Sequence, residues 1–119
     1  MKTAIELIED ERAEQIEKHG FSLEKDAQHY KKGELSQAAL FCKEQALIKL
    51  FGKKEESAKW PNDWNSYFEN KVRNKSVIGQ LTVCGALYLA EFERTGDILY
   101  RKNAIDISLL MCSLMDLNP

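Results

Sequence analysis

The sequence predicts an all-α fold: a helical bundle of about four long helices with short helices between them. Three observations lead there. Only two of the 119 residues are prolines, Pro61 and Pro119, so long segments carry no helix breaker. Apolar residues recur at three- and four-residue spacing, and no stretch alternates convincingly with period two. Glycines stand where that periodicity stops, at Gly20, Gly52 and Gly96.

The length suits a single α-helical domain over residues 1–119, with one core. A hydrophobic content of 44% excludes a disordered chain. The 17 basic and 19 acidic residues are interspersed, for a formal charge of −2, so no basic stripe argues for nucleic acid. No apolar run approaches the roughly 18–20 residues that span a bilayer. Glu6, Glu9, Asp10 and Glu11 crowd the N-terminus, which is unlike a signal peptide, and a cytoplasmic protein is expected. Cys42, Cys84 and Cys112 are far apart, each within an apolar helical pattern, and are expected to be reduced and buried.

The first helix is expected from about Thr3 to His19. At about 100° per residue, Ile5, Ile8 and Ile16 share one stripe. Glu6, Glu9, Asp10, Glu14 and Glu17 face water. Arg12 and Gln15 project among the isoleucines, on the face that enters the core. A half-buried guanidinium needs a carboxylate partner. Arg12 and Gln15 therefore either form a structural polar link that fixes helix register or line a cavity.

Phe21 to Lys32 reads as a polar connection with a short helix capped by Ser22. Asp26 and His29 share a face there, as a metal pair or as a solvated surface pair. Gly33 and Glu34 open the second long helix, to about Phe51. Leu35, Ala38, Ala39, Cys42 and Ala46 give it a stripe of mostly small side chains that lets a neighbour approach closely. Glu34 lies in the first turn, where the helix dipole alone would favour a carboxylate.

Gly52 to Asn74 is a polar connection, with a turn at Trp60-Pro61 and a short helix starting at Pro61 or Asn62. Trp60, Trp64, Tyr67 and Phe68 are expected to lid the bundle or to stack on a ligand. The third long helix spans about Lys75 to Thr95, with Val77, Leu81, Cys84, Tyr88 and Phe92 as its main stripe. Gly85 allows close backbone contact. Glu91 falls beside the core, Glu93 points the other way, and Glu91 is the expected partner of Arg12. The last helix, Asp97 to Leu117, is apolar around much of its circumference, which points to docking on a bundle or on another subunit. With so much apolar surface on the second, third and last long helices, a homodimer or higher oligomer is expected.

Several motifs together resemble a known family. Glu11, Arg12, Gln15, Ile16, Gly20 and Phe21, then Glu24, Asp26 and His29, then Gly33, Glu34, Leu35, Ala38 and Ala39, resemble the opening of a family of small phage and prophage proteins. Trp60-Pro61-Asn62-Asp63-Trp64 is similar to that family's WPWD stretch. Gln80-Leu81, Gly85-Ala86-Leu87 and Ala90-Glu91-Phe92-Glu93-Arg94 are similar to its QLxxAGALIxAEIERL segment. The likeness covers about residues 5–97, leaving 98–119 as an additional C-terminal helix. Lys25 and Ala27 stand where the family carries His and a second Asp.

The first helix also looks like the opening of MazG-type all-α nucleotide pyrophosphohydrolases. Those enzymes hold Mg²⁺ through an ExxE pair and an ExxD pair on packed helices, and the ion bridges to substrate phosphates. The resemblance implies Mg²⁺ as cofactor on Glu34, Glu91 and Glu11, with Arg12, Gln15, Asp26 and His29 contacting the ligand. The acidic pairs are incomplete: Gln37 follows Glu34 and Arg94 follows Glu91 at the second positions, and Glu14 faces solvent. Three functions compete: a Mg²⁺-dependent nucleoside triphosphate pyrophosphohydrolase, a non-catalytic phage module that binds a nucleotide or a host protein, and a structural oligomer. If the second and third long helices run antiparallel, Glu34 and Glu91 share one end of the bundle. Arg12, Gln15, Glu34 and Glu91 are then expected to converge on one polar pocket.

Overall fold

A computed structural model describes residues 2–19, 33–52, 56–62, 64 and 66–117. Among them the chain is helical: α1 (Ala4–His19), α2 (Glu34–Phe51), α3 (Ser66–Arg73), α4 (Val77–Thr95) and α5 (Ile98–Leu117). No described residue is in a strand. No helix among the described residues is long and apolar enough to cross a membrane.

The ends follow from local chemistry. Thr3 and Glu6 form a reciprocal capping box ahead of α1: the Glu6 amide donates to Thr3 Oγ1 at 3.2 Å, and the Thr3 amide donates to Glu6 Oε1 at 3.0 Å. Ser76 caps α4 by accepting from the Gly79 amide at 3.1 Å. Gly52 and Gly96 end α2 and α4 in the left-handed conformation that glycine adopts without steric cost. The short helix starts later than the sequence suggests. The Trp64 amide donates to the Pro61 carbonyl at 3.1 Å, and the described helix begins at Ser66.

α4 is the axis of the fold, since it packs against each of the other four described helices. It runs antiparallel to α2. Ser36, near the start of α2, bonds Glu91 near the end of α4, while Lys49 near the end of α2 bonds the Lys75 carbonyl just ahead of α4. The expected small-residue stripe of α2 forms the contact, and Leu35, Ala38, Ala39, Cys42 and Ala46 are all fully buried there. α5 turns back on α4 after Gly96 and buries Ala104, Ile107 and Met111.

α1 packs with a face rotated from the expected one. Its buried line is Ala4, Ile8, Arg12 and Gln15, whereas Ile5 is 57% exposed and Ile16 is 40% exposed. The polar residues make up the C-terminal half of the buried stripe. Two of the expected buried thiols hold: Cys42 and Cys84 are buried, and burial pushes both thiols up, Cys84 to about 12. Cys112 is exposed, because it lies on the outer face of α5. All three are free. The short helix predicted between Phe21 and Lys32, with Asp26 and His29, lies outside the described residues.

Gly85 of α4 packs directly against Ile8 of α1. A Cβ added there would lie 2.6 Å from Ile8 Cδ1 and 2.9 Å from Ile8 Cγ1. Overpacking of this kind costs about 1–3 kcal/mol, against a helix-propensity gain of roughly 1 kcal/mol for Ala over Gly. Gly85→Ala is therefore expected to lower stability in urea unfolding, and Ile8→Val, which removes Cδ1, to recover part of the loss. A Gly85→Ala protein as stable as the parent would contradict this contact.

Candidate functional site

The segment ahead of α3 is anchored on α2 by side chains. Glu44 accepts from the Ser57 amide at 2.6 Å, the Ser57 hydroxyl at 2.7 Å and the Ala58 amide at 3.1 Å. Gln37 donates to the Lys59 carbonyl at 2.9 Å, and Gln45 donates to Glu56 at 3.0 Å. Arg73 of α3 grips both Glu56 and Glu69, and its guanidinium lies 4.9 Å above the Phe41 ring. This bracing seats Trp60 against the bundle. Its ring meets Phe41 edge-on at 5.5 Å and Trp64 edge-on at 5.3 Å. Trp60, Trp64 and Phe68 cover the bundle as expected, while Tyr67 is exposed.

Between these tryptophans and α1 lies a partly open pocket of about 80 Å³, enough for several water molecules. Its walls divide by chemistry. Glu11, Glu14 and Gln15 of α1 supply oxygen acceptors. Lys71 of α3 and Lys75 ahead of α4 supply cations, and Phe68, Val83 and Leu87 supply apolar surface with the tryptophans. Two buried polar atoms on residues of this wall have no partner among the described residues: Gln15 Oε1, on a residue 2% exposed, and Trp60 Nε1. An unpartnered buried polar atom costs about 1–3 kcal/mol, part of which a group that reached it would recover. Burial also raises the Glu11 carboxyl above its ordinary value. Glu14 pushes it the same way, and Lys75, Gln15 and Lys71 pull it partly back.

The residues singled out in the sequence divide between two places. Gln15 and Glu11 line the pocket. Arg12, 4% exposed, turns instead to α4, where Nη2 and Nε donate to Glu93 Oε2 at 2.9 and 3.2 Å. The expected Arg12–Glu91 pair is replaced by Arg12–Glu93. Glu91 is fully buried against α2: it accepts from the Ser36 hydroxyl at 2.8 Å and the Ser36 amide at 3.3 Å, and Arg94 Nε donates to it at 2.5 Å. Residues 91 and 93 lie about 200° apart on a helix, and α4 has a neighbour on both sides. The side opposite Glu91 is where α1 sits.

Glu34 opens α2 two residues before Ser36, at the same end of the bundle as Glu91, and outside the pocket. Glu14 is half-buried in the pocket wall rather than solvent-facing. Lys71 and Lys75 were not singled out in the sequence. Nothing separates them there from surface lysines, because their place in the pocket depends on how α3 meets α1.

The shared metal site expected from Glu11, Glu34 and Glu91 is not formed among the described residues. No three His, Cys, Asp or Glu side chains there are grouped closely enough to hold a metal ion. The reason is visible at Glu91, whose two oxygens are taken by Ser36 and Arg94. Among the described residues, the pocket keeps Glu11 and Glu14, two carboxylates three residues apart on one wall.

The chain matches no protein-family model, no curated protein and no solved structure at a significant level.

Glu11 gives a test by pH. Its folded pKa lies above the ordinary carboxyl value of 4.5. The ionised group therefore opposes folding, a penalty absent in acid that grows as pH rises through the folded pKa. Glu11→Gln is expected to raise unfolding stability at neutral pH, with the gain vanishing below the ordinary carboxyl value. A loss of stability at neutral pH, or a gain unchanged by pH, would show that the carboxylate is not disfavoured by the fold.

Proposed function

We propose that this chain is a nucleotide-binding α-helical module, of the phage and prophage kind its sequence resembles, that holds its ligand without turning it over. The pocket carries the reading, because it offers opposite chemistry at its walls. The α1 wall presents acceptors that suit the N–H groups of a base edge, with the Trp60 indole N–H as a donor for a ring nitrogen or carbonyl. Lys71 and Lys75 suit an anionic phosphate. The tryptophans and the Val83–Leu87 surface suit a flat apolar ring. The pocket is too small to enclose a whole nucleotide, so the base enters and the phosphates stay by the lysines.

Turnover in the MazG manner would need Mg²⁺. Glu11 and Glu14 keep the ExxE spacing that favours this second reading, and further donors would have to come from outside the described residues. A host protein in place of a nucleotide is the remaining alternative.

Binding would bring a ligand against Trp60 and Trp64, so their fluorescence reports it. Purine and pyrimidine nucleosides and their mono- and triphosphates, with and without Mg²⁺, are titrated while products are followed by chromatography. The expected result is saturable quenching by a nucleotide with no product. Lys71→Ala and Lys75→Ala should each weaken the nucleotide about tenfold or more and leave the matching nucleoside unchanged. Mg²⁺-dependent product would move the reading to hydrolysis. No response to any nucleotide would overturn it.

A further inference from the structure

α5 carries two apolar stripes on opposite sides. One faces α4 and buries Ala104, Ile107 and Met111. The other faces solvent. Ile98 is 71% exposed and Leu109 is 61% exposed, and Ile105 and Cys112 are exposed between and beyond them. With Lys102 and Asp116, these residues fall within about 40° of one line along the helix. Their spacing is that of a coiled-coil seam: 98, 105 and 112 are one heptad apart, as are 102, 109 and 116. An amphipathic helix on a bundle normally turns charge to water at this angle. Here Ile98, Ile105, Leu109 and Cys112 make up most of that line, and its charges, Lys102 and Asp116, stand towards its two ends.

That charge is sorted along the helix. Arg101 and Lys102 stand in its first two turns, Asp106 near its middle and Asp116 in its last turn, and all four are exposed. None forms an ion pair with a described residue. A parallel pair of such helices would place Lys102 beside Lys102 and Asp116 beside Asp116. An antiparallel pair places Lys102 of one copy within about one turn of Asp116 of the other. It also stacks Ile105 of each copy on Leu109 of the other at the centre. The seam is thus complementary to itself about a twofold axis, as an isologous contact requires.

We infer that α5 is a homodimer interface, in which two copies pair antiparallel through Ile98, Ile105, Leu109 and Cys112, with Lys102 of each copy near Asp116 of the other. The tryptophan pocket lies elsewhere on the chain, so the inference stands independently of the nucleotide reading.

Sedimentation of the full chain from low to high micromolar concentration tests it. The parent is expected to be a dimer. Leu109→Asp changes an exposed side chain, so helical circular dichroism should be kept while the dimer weakens at least about tenfold. Lys102→Asp and Asp116→Lys should each weaken it, and the two reversals together should restore it towards the parent. A monomeric parent overturns the interface, as does a Leu109→Asp chain that remains equally dimeric. Single reversals without effect, or a double reversal no tighter than the singles, overturn the antiparallel pairing.

Discussion

A guanidinium buried in a helical bundle has to be answered by a carboxylate, and the placement of α1 depends on that requirement. Arg12 lies in the C-terminal half of the buried stripe of α1 and is met by Glu93 in the last turns of α4. One turn earlier in α1, Ile8 fills the space left by Gly85 on α4. These two contacts fix both the rotation and the closeness of α1. With Arg12 and Ile8 held on α4, Glu11, Glu14 and Gln15 are directed to the tryptophan side. The pocket wall is thus a consequence of a structural ion pair that is not itself part of the pocket.

The same helix therefore carries two kinds of polar residue. Arg12 is satisfied and stabilises the packing. Gln15 and Glu11 stand in a less favourable state, one with an unpartnered oxygen and the other with a carboxylate that burial disfavours. Sites of this kind are where a fold gives up stability for function. On the other side of α4, Glu91 shows the contrast. It is just as deep, yet it is satisfied by Ser36 and Arg94 and links α2 to α4 without an opening.

Much of the architecture was legible in the sequence. The spans of the four long helices follow from the absence of proline and from glycines at their ends, and Gly52 and Gly96 take the expected left-handed conformation. The small-residue stripe of α2 and the anomalous Arg12 and Gln15 were also readable, since their spacing places them on a buried face. What failed was the choice among neighbours. A helical wheel gives one inner side, but α4 has neighbours on more than one side, so Glu93 points away from the expected core and still meets α1. The isoleucines of α1 misled in the same way: Ile5 and Ile16 flank the buried stripe and do not define it. The lysines of the pocket carry no local signal at all, because only the meeting of α3 with α1 brings them there.

The most direct measurement is a double-mutant cycle on Arg12 and Glu93, with Arg12→Ala, Glu93→Ala and the double variant unfolded in urea. Glu93 is about one-third exposed, so a stranded carboxylate regains some water and the coupling falls below that of a fully buried pair. A coupling of about 1–3 kcal/mol is expected. Additive effects, or an Arg12→Ala protein as stable as the parent, would contradict the claim that this pair sets α1 on α4.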